Sequence, residues 1–396
     1  MTDTGEKSLF MRWLPVLTLT LCTFVFNTSE FIPIGLLTDI GRDFGRTEAE
    51  MGWLVTTYAW VVAIMSLPLM LLASKMECRR LMMSVLALFV ASHVLSAVAS
   101  NYWILLASRL GVACSHAIFW SVVSPLAVEV APKHKTSTAL GLVVAGSSIA
   151  MIAGLPLGRV LGLYLGWRMT FLAIGIVAAL ALVCLWRFFP SVHSRNAVAL
   201  DKVPALLGQP TLMGIYILTP IIMTGNFTVY SYIEPFLAQV TGMHPDRITW
   251  VLVAYGAVGI LGSWIFSHFF DRRPIAFMQF SVVGILASML LMAPLGGHEL
   301  TIVLLCIFWG LSVTIYNLVF QSATIRAVPS GTAVAMSVYS GIYNVGIGSG
   351  ALVGGLVCTH AAIGDIGWAG GAIAGAGVLF CLLRVVPVFR GVFAKA

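Results

Sequence analysis

The chain has 396 residues, of which 59% are apolar and only 9% charged, and its mean hydropathy is +0.98. A soluble domain carries about 25% charged residues, so this composition excludes an ordinary soluble protein. The formal net charge of +7 does not indicate nucleic-acid binding, because the basic residues lie in short loops between apolar runs rather than along one polar face. Seven scattered cysteines without paired spacing predict neither a disulfide framework nor a metal site.

Twelve apolar stretches follow one another along the chain, and each is close to the about 20 residues that cross a hydrocarbon core of about 30 Å. The first six are predicted at 14–37, 51–74, 81–99, 102–128, 138–162 and 168–189. The last six are predicted at 211–238, 249–270, 275–295, 300–325, 333–357 and 366–388. The first stretch has full length and no obvious cleavage site, which favours a retained helix over a signal peptide.

These stretches predict an all-α membrane protein of twelve transmembrane helices in two pseudo-symmetric six-helix bundles. We expect an amino-terminal bundle over 1–189 and a carboxyl-terminal bundle over 211–396. The only long polar connection, 190–210, would join them as a linker.

The distribution of Lys and Arg predicts the orientation of the chain in the membrane. With both termini in the cytoplasm, sixteen of the 22 basic residues fall in cytoplasmic segments and five on the opposite side, while Arg109 lies within a helix. We therefore expect a multi-pass protein of a bacterial inner membrane with both termini and the linker cytoplasmic.

The two halves of the chain repeat two short patterns. The loop after the second stretch holds Glu77-Cys78-Arg79-Arg80, and the loop after the eighth holds Asp271-Arg272-Arg273. The first stretch contains Glu30-Phe31-Ile32-Pro33, and the seventh contains Ile233-Glu234-Pro235-Phe236. Such internal repeats are expected of transporters built from two related halves.

Five segments resemble a known family in particular. They are NTSEFIPIGLL at 27–37, YAWVVA at 58–63, SHAIFWS at 115–121, GLPLGR at 154–159 and YSYIEPF at 230–236. In these segments the chain resembles the major facilitator superfamily, within it the twelve-span drug–proton antiporter branch, and most closely bacterial sugar efflux transporters. The resemblance covers nearly the whole chain.

The resemblance also marks residues that would take part in conformational change. Arg79 and Arg80 keep the basic pair of the superfamily's loop between its second and third helices. Gly154, Pro156 and Gly158 stand where the antiporter pattern lies in the fifth helix, and there they would make that helix closely packed and bent.

Glu30, Arg109 and His116 are the candidates for proton coupling. A carboxylate inside a membrane helix is expensive and usually faces a cavity or a partner. Glu30 and Arg109 each lie about 7 residues, or roughly 10 Å, from the outer membrane surface, so an ion pair between them is expected. His116 follows Arg109 by seven residues on the same helix face, and imidazole suits a proton relay. The alternatives are a permanent salt bridge that fixes helix packing and a histidine that is simply hydrogen-bonded.

A sugar site needs hydrogen-bond partners for hydroxyl groups and an aromatic face for the sugar ring. Interhelical hydrogen bonding is the alternative for any single residue of this kind. The mid-membrane candidates for substrate binding are Asn27, Tyr58, Trp120, Asn226, Tyr232, Asn317, Gln321, Tyr343 and Asn344, with Glu234 near the outer end of the seventh helix.

The resemblance and these residues together predict proton-coupled efflux of small sugars and analogues, such as arabinose or thiogalactosides, by alternating access. The expected partners are the small-molecule substrate, protons and the lipid bilayer; neither nucleic acid, a cofactor nor a metal is expected, and we expect a monomer. A multidrug–proton antiporter and an uncoupled facilitator are alternatives within the same class. An intramembrane enzyme is the alternative from another class, and we expect no enzymatic activity.

Overall fold

The computed structural model describes residues 3–73, 76–132, 135–190, 208–327 and 332–393, and every regular element in these ranges is helical. The helices of the first half are α1 (Asp3–Gly35), α2 (Leu37–Phe44), α3 (Glu48–Ala73), α4 (Cys78–Ala97), α5 (Tyr102–Glu129), α6 (Thr136–Ile149), α7 (Leu155–Leu165) and α8 (Trp167–Phe188). Those of the second half are α9 (Pro210–Tyr230), α10 (Ile233–Gln239), α11 (Pro245–Phe269), α12 (Pro274–Leu295), α13 (Glu299–Ala327), α14 (Thr332–His360), α15 (Ile366–Phe380) and α16 (Val386–Phe393).

Eleven helical stretches within the described residues are long and apolar enough to cross a membrane. The remaining predicted stretch, 51–74, coincides with α3, whose 26 residues extend about 39 Å at 1.5 Å per residue. The prediction of an all-α, twelve-span membrane protein is confirmed.

Two of the predicted spans contain interruptions that the apolar pattern did not reveal. The first span ends at Gly35, and the short helix α2 follows it with Asp39 and Arg42 among its residues. The seventh span is divided at 231–232, between α9 and α10. Pro235 explains this second break, because its missing N–H leaves the carbonyl of Ser231 without the usual helical partner.

A turn of π-helix, Ala150–Gly154, connects α6 to α7. Pro156 follows directly at the start of α7, is buried, and cannot donate a backbone hydrogen bond to the preceding turn. A wider turn at this point accommodates the lost bond, as is common where a helix contains a π-bulge. The fifth span therefore carries a π-helical turn at the place where the sequence predicts a bend.

The chain divides into two compact units. Unit 1 comprises Met1–Leu36 and Ile64–Val198, and unit 2 comprises Leu37–Ala63 and Ala199–Ala396. The predicted bundles over 1–189 and 211–396 differ from these units in one segment, since Leu37–Ala63 is grouped with the second half. The predicted linker lies largely outside the described residues.

Within unit 1, glycines bring α7 and the preceding turn into close contact with α1. A Cβ atom at Gly154 would lie 2.6 Å from Thr28 Oγ1, and one at Gly158 would overlap the side chain of Ile32. These distances leave no room for a side chain, which agrees with the predicted close packing of the two glycines.

Within unit 2, the row Gly346, Gly350 and Gly354 on α14 faces α9. A Cβ atom at Gly350 would lie 2.6 Å from the carbonyl oxygen of Thr224, and one at Gly354 would lie 2.5 Å from that of Thr228. Backbone-to-backbone contact of this kind is how small residues hold helices together where lipid removes the hydrophobic driving force.

Candidate coupling and substrate sites

A buried acid–base pair lies between α1 and α5 in unit 1. The carboxylate Oε2 of Glu30 is 3.7 Å from Nε2 of His116. Both side chains are buried, at 8% and 2% exposure. Two titratable groups so close together within a membrane protein are costly unless they have a function or a fixed partner.

Trp120 lies one helical turn after His116 on α5. Its indole is hydrogen-bonded to Nε2 of His116, the same nitrogen that lies near Glu30. Its Nε1 donates a hydrogen bond of 2.6 Å to Nε2 of His116. A nitrogen that accepts this bond carries a lone pair, so the proton of the neutral ring is assigned to Nδ1. Nε2 can take up a proton only when the indole N–H moves away. Trp120, expected to offer a stacking face to a sugar, therefore bonds to one of the candidate coupling residues.

Arg109 lies on α5, two turns before His116, and is 1% exposed. Its Nη2 donates to the backbone oxygen of Ser29 at 3.1 Å, and its Nη1 contacts Ser29 Oγ at 3.4 Å. The guanidinium also stands 5.9 Å from the ring centre of Phe171. The structure thus ties Arg109 to the residue that precedes Glu30, so its charge is held beside the acid–base pair.

Aromatic rings cover one side of this cluster. Phe26 stacks on Phe89 and on Phe119, with ring centres 4.0 and 4.1 Å apart. The same ring lies 6.1 Å from the imidazole of His116. A dry wall of this kind strengthens electrostatic interactions between the groups it shields. Asn27, the other substrate candidate on α1, instead donates to Ser147 Oγ on α6 at 2.5 Å.

Two of the substrate candidates in unit 2 already have partners within the protein. The hydroxyl of Tyr232 donates to the backbone oxygen of Ala351 at 3.0 Å. The carboxylate of Glu234 accepts a 2.7 Å hydrogen bond from Thr38 Oγ1. Both side chains are buried, so these contacts fit interhelical bonding at least as well as substrate binding.

The remaining candidates of unit 2 differ in exposure. Tyr58 is buried at 2% exposure, Asn317 and Tyr343 are half-buried, and Gln321 is exposed. The amide nitrogen of Asn344 donates to the Ser340 carbonyl at 3.0 Å. Its Oδ1 is buried and accepts no hydrogen bond within the part of the chain that the structure describes.

Three aromatic residues adjoin the predicted Asn226 and were missed by sequence reasoning. Asn226 Oδ1 accepts a 2.8 Å hydrogen bond from the indole of Trp309. The ring of Trp309 contacts those of Tyr230 and Tyr255. One signal was available: Tyr230 follows Asn226 by four residues, which places both on the same face of a helix.

The basic pair Arg79 and Arg80, which lies in the first turn of α4, makes contacts at the surface. Arg79 Nη2 donates to the Trp186 carbonyl at 2.5 Å, and Arg80 pairs with Glu77 at 3.3 Å. The Arg79 contact joins α4 to α8, whereas the Arg80 pair is local to the start of α4.

The chain is similar to known proteins over almost its whole length. The model of the Major Facilitator Superfamily matches residues 19–351. A protein of Helicobacter pylori strain G27, named "Probable sugar efflux transporter", is 44% identical over 385 residues, which cover 97% of each chain. The protein of the same name from strain HPAG1 is likewise 44% identical over 385 residues.

Solved structures show the same fold. The crystal structure of a bacterial homologue of the human lysosomal transporter Spinster, inward-facing and unoccupied, aligns with a TM-score of 0.70 at 15% identity. It covers 97% of this chain and 98% of the other. Because the members of the matched family are transporters, the expectation that the protein is not an enzyme is confirmed. With its helices, its spans and these matches, the chain belongs to the major facilitator superfamily and is a multi-pass membrane transporter.

Proposed function

We propose that this protein exports small sugars and sugar analogues, such as arabinose or thiogalactosides, in exchange for protons. The buried pair of Glu30 and His116 carries the coupling part of this proposal, because proton exchange needs titratable groups shielded from lipid. The names of the 44%-identical relatives support the substrate class. Alternating access, in which a binding site opens to one side of the membrane and then to the other, is the expected mechanism for two related halves.

The coupling step moves one proton between two defined positions. With Glu30 ionised and His116 neutral, the positive charge of Arg109 balances the carboxylate. A proton that arrives on Glu30 Oε2 or on His116 Nε2 leaves a net charge of +1 in the cluster. Binding at Nε2 also displaces the N–H of Trp120, so the position of this indole changes with the protonation state of His116. Release of the proton to the other side of the membrane returns the cluster to its starting charge.

The available driving force is sufficient for strong accumulation. One proton that crosses 100 mV supplies about 2.3 kcal/mol, and one pH unit adds about 1.4 kcal/mol. Their sum corresponds to a concentration ratio of roughly several hundredfold for a neutral solute exchanged one for one.

We also propose that the protein is a monomer in a bacterial inner membrane with both termini cytoplasmic. The excess of basic residues in the loops assigned to that side supports this orientation. Ser194 lies in the predicted linker, outside the described residues. In a cysteine-free background, Ser194→Cys should resist an impermeant thiol reagent added to intact cells. Ready labelling would reverse the orientation.

Transport into inverted vesicles tests the function. An imposed pH gradient should drive uptake of labelled arabinose or thiogalactoside, and a proton-conducting uncoupler should abolish it. Cationic drugs transported in preference to sugars would instead identify a multidrug antiporter. Sugar movement that equilibrates but ignores the gradient would identify an uncoupled facilitator.

A further inference from the structure

Three helices of unit 2 each contribute one aromatic ring to a compact cluster. Tyr230 of α9 stacks on Tyr255 of α11, with ring centres 5.1 Å apart and planes inclined by 29°. Trp309 of α13 meets Tyr255 edge-on at 5.1 Å and Tyr230 edge-on at 5.8 Å. Such contacts fix the rings relative to one another.

The cluster lies on the inner side of α11. At 100° per residue, Tyr255 is about 140° around the helix from both Trp250 and Ile260. Those two side chains are 71% and 65% exposed, which marks the face of α11 that lipid would cover. Tyr255 is only half-buried, although it points away from that face, and Tyr230 is half-buried as well. Tyr255 is therefore partly accessible on a side of α11 that faces away from lipid, and its stacking partner Tyr230 is partly accessible as well.

Several polar groups of the cluster have unused hydrogen-bonding capacity. Trp309 is fully buried, and its indole N–H donates a hydrogen bond to Oδ1 of Asn226. The amide nitrogen of Asn226 and the hydroxyls of Tyr230 and Tyr255 donate to no residue in the ranges that the structure describes. Phenylalanine would fill the same volume without leaving hydroxyls unbonded, and a tyrosine hydroxyl inside a protein usually finds a partner. Packing alone does not account for these residues.

We propose that Tyr230, Tyr255, Trp309 and Asn226 form a sugar-binding wall of unit 2, a refinement that rests on the proposed function. The C–H face of a neutral sugar ring packs on the phenol rings. Its hydroxyls bond to the Asn226 amide and to the two phenol oxygens, which can donate and accept. Aromatic faces beside hydroxyl and amide groups match both the C–H face and the hydroxyls of a neutral polyhydroxylated ring.

Equilibrium binding of a labelled thiogalactoside to the purified full-length protein tests this proposal. Tyr255→Leu removes both ring and hydroxyl, and affinity should fall about tenfold or more, which corresponds to roughly 1.4 kcal/mol. Tyr255→Phe keeps the ring and should weaken binding by less, about threefold. Tyr164→Leu is the matched control, since Tyr164 belongs to unit 1 and is 74% exposed. Thermal unfolding of each variant checks that it is folded.

The double variant Tyr230→Phe/Tyr255→Phe retains both rings. It replaces Tyr255→Leu as the test if Tyr255→Leu does not fold. The double variant should bind the thiogalactoside about tenfold more weakly, because both hydroxyls are lost. Wild-type affinity in this double variant and in folded Tyr255→Leu would overturn the sugar-binding wall and leave the proposed function intact. A wild-type protein that binds and transports no sugar, yet binds tetraphenylphosphonium, would reject both.

Discussion

Glu30→Gln tests the proposed coupling directly, because glutamine keeps the shape of the side chain and removes its charge. The carboxylate lies 3.7 Å from His116 Nε2. At an effective dielectric constant of about 20, unit charges at this separation attract by about 4 kcal/mol. Glutamine loses this attraction, so the doubly charged state with a protonated imidazole becomes roughly a thousandfold less accessible.

The substitution should therefore separate coupling from transport. In inverted vesicles with a pH gradient of one unit, accumulation should fall from about tenfold to equilibration. Exchange of labelled for unlabelled sugar at equal pH should persist, because the contacts between Arg109 and Ser29 do not involve the carboxylate. Arg109→Ala should be more damaging, since it leaves the Glu30 carboxylate buried without its nearby positive charge.

The matched control is Glu129→Gln, the same change at an exposed position at the end of α5, which should behave as wild type. Uphill export by Glu30→Gln in response to a pH gradient would refute the assignment. His116 would then be the next residue to test.

Three further outcomes are expected. Trp120→Phe keeps the ring but frees His116 Nε2, so the pH profile of transport should move to higher pH by up to about one unit; an unchanged profile would exclude the indole from the coupling step. Thr38→Val removes the hydrogen bond to the buried Glu234 carboxylate and should lower stability by about 1–3 kcal/mol, read as a lower Tm of the purified protein than that of wild type. Gly350→Ala should reduce the yield of folded protein because its Cβ would meet the Thr224 carbonyl at 2.6 Å, whereas Gly297→Ala, with open space around it, should not; equal yields would argue against close packing of α9 and α14.

The sequence predicted the helical spans because hydrocarbon imposes a simple condition on length and polarity. The same condition made Glu30 stand out, since a carboxylate within an apolar stretch is rare. The sequence also predicted the close packing of Gly154 and Gly158, because small residues let membrane helices approach each other closely. Pro235 could have predicted the break at 231–232, but the apolar run around it masked the signal.

The sequence could not predict in the same way which of these polar residues contact each other. Arg109 and His116 share a helix face by spacing, and an ion pair of Arg109 with Glu30 was the expectation. In the structure Arg109 donates to Ser29, next to Glu30, and His116 also lies against the Glu30 carboxylate. The two residues share a face of α5 but lie roughly 10 Å apart along its axis, so the offset of α5 along α1 decides which of them meets Glu30, and no local pattern encodes that offset.

By itself, then, the sequence determined how many helices cross the membrane and which polar residues lie within them, because each helix meets the bilayer independently of its neighbours. Only the tertiary structure decided which of those residues touch. It set Trp120 against His116, and it gathered Tyr230, Tyr255 and Trp309 from three helices. Such contacts join residues far apart in the chain, and they are fixed by how the side chains of packed helices interlock rather than by the periodicity of any one helix.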